Sequence, residues 1–143
     1  MTDSYSVHGI RTPLITSGSD LAGVLIQAVS RTGAGEFQSG DVLVVAETAV
    51  STVEGGIIAL DGIVPDGESL RLARKYSLDP RLVQCIRAES DEIVGGIPGF
   101  LLCMKHGTLL PNAGIDTSNA PPGCITPLPR NPNRSAACLM HEI

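Results

Sequence analysis

The chain has 143 residues, 43% apolar and 17% charged, enough to bury one compact core and too few for two independent ones, so a single domain over 1–143 is expected. Ten basic residues against fifteen acidic ones give a net charge of -5, which repels phosphate backbones, and two Tyr, two Phe and no Trp offer no platform for stacked bases. A nucleic-acid binder is therefore disfavoured, and the core must be packed from Val, Ile, Leu and Ala.

Along the chain, a short strand is expected from Tyr5 to Gly9, followed by a loop through Gly9–Ile15 that Pro13 keeps out of a helix. The start of the chain lacks the basic and apolar regions of a signal peptide. No apolar run approaches the roughly 18 residues that a membrane span needs, so a cytoplasmic protein without membrane contact is expected. Asp20 is placed to cap a helix whose Leu21, Val24, Leu25, Ala28 and Val29 share one face, and Thr32–Gly35 ends it. Asp41–Ala46 reads as a strand buried on both faces, because its apolar run is continuous. Another strand is expected near Gly56–Leu60, before the turn chemistry of Asp61-Gly62.

Two helices follow: one from about Glu68 to Tyr76, and one from Asp79 as cap and Pro80 at the first helical position to about Ser90. The pairs Gly55-Gly56 and Gly95-Gly96 fit no phosphate-loop pattern and read as turns. Phe100–Lys105 and Gly107–Leu110 form a hairpin across His106-Gly107. Asn131-Pro132 repeats the cap-then-proline signal and opens a last helix. Cys85, Cys103, Cys124 and Cys138 are far apart, without a zinc or redox spacing, and read as reduced structural thiols; His8, His106 and His141 also lack a ligand at metal spacing.

The densest polar segment is Pro111–Gly123, which sets a carboxylate, amides and hydroxyls between apolar runs. Gly114 lets the backbone bend, Asp116 offers two hard oxygens suited to magnesium or manganese, and Asn119 has both a donor and an acceptor. The alternative is an Asx-turn in which these side chains cap their own backbone. Ser118 has no evident base beside it, and no nucleophilic or acid–base residue is assigned.

Asn112-Ala113-Gly114-Ile115-Asp116-Thr117-Ser118-Asn119 resembles the N-A-G-[IV]-D-x-S-N signature of the coenzyme F420:γ-glutamyl ligase family. Gly9–Ile15 with Gly18–Leu21, Gly40–Val45, Val50–Gly55, Asp79–Val83, Glu89-Ser90, His106-Gly107 and Asn131–Ala136 are similar to further family motifs in the same order. The likeness spans essentially the whole chain but only the first part of a family member. It implies GTP as co-substrate, Mg²⁺ or Mn²⁺, and a coenzyme F420 precursor and L-glutamate joined through an acyl phosphate. It also implies Asp116 as a metal ligand and Asn119 as a guanine-nucleotide contact. Thr12, Pro13, Leu14 and Ile15, with Glu47 and Thr48, would line the rest of the nucleotide pocket.

Two departures stand out. Thr52 occupies the place of a family lysine, for which Arg11 is the candidate substitute cation. The acid-Thr motif and later glutamine of the family's metal site lie beyond Ile143. The expected fold is α+β, a mixed and largely antiparallel sheet with helices packed on one side and an exposed apolar surface. The expected assembly is a homodimer or a complex with a complementing C-terminal chain. A non-catalytic module of the same fold, or a ligase for a different acid cofactor, are the competing functions.

Overall fold

The structure, a computed structural model, describes residues 4–143. Backbone contacts divide it into two compact units, one of the residues up to Gly55 with Pro129–Ile143, the other Gly56–Leu128.

The second unit is built on a three-stranded antiparallel meander: β2 (Glu92–Ile97), β3 (Phe100–Lys105) and β4 (Thr108–Pro111), in the order β2-β3-β4. The expected hairpin is β3–β4, with Cys103 opposite Leu110 and Lys105 opposite Thr108. His106 and Gly107 both take positive φ, 50° and 76°, the backbone of a tight two-residue turn whose twist matches the strands. Asp91 accepts the His106 N–H at 2.6 Å and fixes that turn from outside.

Sequence expectation fails at β2, because Gly95-Gly96 is not a turn but the middle of a strand, with a bulge between Ile93 and Gly95. Gly96 is there for close approach: a Cβ on it would stand 2.4 Å from the Phe100 carbonyl oxygen and 3.1 Å from the Tyr76 ring.

Helices α3 (Gly67–Tyr76) and α4 (Pro80–Glu89) pair and cover one face of the meander. Asp79 accepts the Arg81 N–H at 2.8 Å with Pro80 at the helix start, as its sequence signal requires. The α3 cap is Asp66, which accepts the Ser69 N–H at 2.7 Å. Leu72, Tyr76, Val83, Ile86, Leu101 and Cys103 meet in the core with Ala113, Ile115 and Ile125. Tyr76 thus adds an aromatic side chain to a core expected to be aliphatic. Lys105 on β3 reaches Glu89 at the end of α4, 2.5 Å away. The short strand β1 (Ile58–Ala59) pairs antiparallel with β5 (Cys124–Ile125). Every strand pairing among the described residues is antiparallel, and the fold is α+β.

The first unit contains α1 (Leu21–Ser30), α2 (Glu47–Val53) and α5 (Pro132–Glu142). Asp20 accepts the Gly23 N–H at 2.9 Å, and Leu21, Ala22, Leu25, Ala28 and Val29 form the buried face of α1, with Val24 half-buried at its margin. Asn131 caps α5 by accepting the Arg134 N–H at 3.0 Å. Two expectations are corrected here. Tyr5–Gly9 forms no strand, and Asp41–Ala46 is neither hydrogen-bonded into a sheet nor buried, with Val42 and Val44 each 87% exposed. A strand needs a neighbour for its backbone groups, and the described residues of this unit supply none. Cys85 and Cys103 are buried, and burial pushes both thiols up; Cys124 is half-buried and Cys138 exposed, all four unbridged.

Candidate functional site

In the second unit, β4 delivers the chain into a 3₁₀ turn, Asn112–Gly114, in which three successive residues lie in the left-handed region, with φ of 48°, 56° and 77°. Asn112 tolerates that conformation, and its side-chain oxygen accepts the Leu101 N–H at 2.9 Å. Ala113 has no such compensation and is fully buried; a non-glycine residue held there costs about 1–3 kcal/mol, the kind of strain that clusters at functional sites. At Gly114 a Cβ would come within 2.5 Å of Leu128 Cδ1, so both conformation and space demand glycine.

The turn aims the chain at Asp116, whose backbone exchanges two 2.9 Å hydrogen bonds with Thr126. One carboxylate oxygen of Asp116 accepts from the Ser118 N–H at 2.7 Å and the Ser118 hydroxyl at 2.6 Å, and the other accepts from the Asn119 amide at 2.6 Å. This is the Asx-turn that the sequence left open as the alternative to a cation site. The Ser118 hydroxyl, together with the Ser118 N–H and the Asn119 amide, holds the Asp116 carboxyl below the usual carboxylate range, outweighing partial burial. The group is therefore ionised at neutral pH.

A carboxylate has about four acceptor positions, and three are taken. Among the described residues no cluster of three His, Cys, Asp or Glu side chains forms a metal cage. Asp116 therefore keeps about one acceptor position beyond those its own turn uses.

The other expected site residues belong to the first unit. Thr12, Pro13 and Leu14 are exposed and Ile15 is half-buried, just before a Thr16–Ser19 turn in which Ser19 Oγ accepts the Thr16 N–H at 3.0 Å. Gly18 donates to the Val53 carbonyl at 3.3 Å, fastening that turn to the end of α2. Glu47 and Thr48 form the first turn of α2, so Thr48 is a helical hydroxyl and not the end of a strand. Thr52 is half-buried within the same helix, and Arg11 is exposed.

Two features escaped sequence reading. Ser135 on α5 donates its hydroxyl to Glu54 at the end of α2. Thr126 is 1% exposed, and its hydroxyl has no partner among the described residues. No local pattern marks either one, since each depends on residues distant in sequence.

Residues 9–143 match the family model described as F420-0:Gamma-glutamyl ligase. The chain belongs to that ligase family. It is 41% identical over 132 residues to a protein of Methanothermobacter thermautotrophicus named coenzyme F420:L-glutamate ligase, covering 92% of this chain and 52% of the relative. Proteins of the same name from Methanocaldococcus jannaschii and Archaeoglobus fulgidus are 43% identical over 108 residues and 34% over 139 residues. Those alignments cover 75% and 97% of this chain, and 43% and 53% of the relatives. The chain thus spans about half the length of the curated relatives it matches.

Proposed function

We propose that this chain is the nucleotide-facing part of a GTP- and divalent-metal-dependent ligase that adds L-glutamate in γ linkage to coenzyme F420. The observation that carries the reading is the 41% identity, over 92% of the chain, to a protein named coenzyme F420:L-glutamate ligase. The Asn112–Asn119 loop supports it from the structural side, since its strained backbone presents an ionised carboxylate beside an amide and a hydroxyl.

Amide formation from a carboxylate is uphill in water. The γ-phosphoryl group of GTP first passes to a carboxylate oxygen of the acceptor, giving an acyl phosphate and GDP. The amine of glutamate then attacks the acyl carbon, phosphate leaves with the C–O electron pair, and the amine proton goes to solvent. A bound divalent cation neutralises phosphate charge and aligns the nucleotide for in-line transfer. In this reading Asp116 is one ligand of that cation. Asn119 contacts guanine, and Thr12, Pro13, Leu14, Ile15, Glu47 and Thr48 line the nucleotide. Arg11 supplies the positive charge absent at Thr52.

The test uses two Asp116 variants in a ligase chain of the relatives' full length. Asp116→Asn keeps an acceptor for Ser118, whereas Asp116→Ala removes it; both should remain folded and lose GTP-dependent phosphate release by roughly 100-fold or more. Normal turnover in either variant rejects the assignment. A second reading, a non-catalytic module of the same fold, is favoured by Thr52. It predicts no glutamate incorporation even with a chain of the relatives' full length.

A further inference from the structure

A cleft of about 430 Å³ in the first unit is walled by the start of α1, the end of α2 and one side of α5. That volume is at the small end of the roughly 300–1,000 Å³ usual for ligand sites. Its charged lining is of both signs. Arg130, just before the α5 cap, and Arg134, in the first turn of α5, face the same space as Glu54, the C-cap residue of α2.

These opposite charges do not neutralise one another. Among the described residues neither arginine takes part in an ion pair, although carboxylates line the same cleft. Glu54 is held instead by the Ser135 hydroxyl, which fixes its carboxylate beside the start of α5. Asp20, also in the lining, is engaged in capping α1 through the Gly23 N–H. Glu142 lies eight residues beyond Arg134 on the same helix, about 12 Å along its axis, and so belongs to the far end of the cleft. What remains around the start of α5 is two uncommitted guanidinium groups and one positioned carboxylate.

We infer that this cleft binds an acidic α-amino acid, with Arg130 and Arg134 each taking one carboxylate and Glu54 taking the ammonium group. Guanidinium forks match carboxylates in pairs of parallel hydrogen bonds, and a lone carboxylate between them matches a single ammonium. The local charge of two cations and one anion is the complement of glutamate's two anions and one cation. A nucleotide polyphosphate is a poorer occupant, since it would face Glu54 and Asp20 with negative charge. The choice of L-glutamate as the amino acid rests on the proposed ligase reaction; the charge pattern does not.

The experiment is calorimetry of L-glutamate, L-glutamine and glutarate on this full chain, without GTP or metal. Saturable binding of L-glutamate is expected, with L-glutamine, which lacks one carboxylate, and glutarate, which lacks the ammonium, each weaker by about tenfold or more. Arg130→Gln and Arg134→Gln should each weaken L-glutamate by about tenfold or more with unchanged circular dichroism. Glu54→Gln keeps an acceptor for the Ser135 hydroxyl, and it should abolish the preference for L-glutamate over glutarate, an outcome that a merely structural role would not produce. No saturable binding, equal binding of the three ligands, or a preference that survives Glu54→Gln overturns the proposal. Displacement of L-glutamate by equimolar inorganic phosphate also overturns it, in favour of a general oxyanion site. Absence of binding strikes this site and leaves the Asp116 test standing, whereas a full-length ligase that binds L-glutamate but releases no phosphate from GTP fails the reaction and not the site.

Discussion

At position 126 a hydroxyl is sealed in the interior with no partner among the described residues. Leaving such a group unsatisfied costs about 1–3 kcal/mol, while an apolar group of the same shape costs almost nothing. Thr126→Val should therefore raise stability by about 1 kcal/mol, seen as a higher urea midpoint at unchanged slope. A drop would mean that the hydroxyl has a partner in solution. Asp66 presents the opposite case. Side-chain hydrogen bonds from Arg87, then the Ser69 N–H, lower its carboxyl from the ordinary 3.8 to about 2. Because the folded value lies below the unfolded one, its contribution is present above about pH 4 and disappears as pH falls toward 2. Asp66→Asn should flatten the stability profile in that window; an unchanged acid limb would show the pairing to be absent in solution. At this scale the sequence was legible where a residue acts on its own backbone. Gly114 announced a bend, and Asp116 with Asn119 announced either a cation site or a self-capped turn. The left-handed backbone of Ala113 was not legible, because alanine carries no preference for it and the surrounding core imposes it.

Helices were legible through their ends. Asp20, Asp79 and Asn131 each accept a backbone N–H two or three residues on, a local arrangement that needs no knowledge of the rest of the fold. Strands were harder to read, because a strand depends on a neighbour elsewhere in the chain. The hairpin β3–β4 was visible since its partners are adjacent, but β2 was hidden by Gly95-Gly96, whose glycines serve close packing and not chain reversal. Gly96→Ala should cost about 2 kcal/mol or more, since the obstructing atom is a backbone carbonyl that cannot step aside. Hydrogen exchange should locate the loosening in β2 and β3. A neutral Gly96→Ala would mean that these strands are further apart than 2.4 Å from Cβ to carbonyl oxygen implies.

Over the whole molecule, both the antiparallel α+β class and the family were legible, the second because several ordered motifs agree along the chain. No helix among the described residues is long and apolar enough to cross a membrane. Placement of Tyr5–Gly9 and Asp41–Ala46 in a sheet failed for a physical reason: their apolar patterns describe a burial and a pairing that the described residues do not provide. Nucleotide affinity belongs to this scale too. Calorimetry with GTP and Mn²⁺ on this chain alone should give heat that Asp116→Asn diminishes. Binding indifferent to that substitution would remove the carboxylate from the nucleotide site.

Helix α5 runs eleven residues without burying one. An isolated stretch of that length barely holds its shape in water, and here it is held by an Asn131 cap, a hydroxyl bond from Ser135 to Glu54 and a limited contact with α1. Local unravelling should therefore be frequent, and trypsin should nick the chain after Arg134 long before it reaches the arginines of α4. Delayed cutting at Arg134 would report that something has come to rest against the helix.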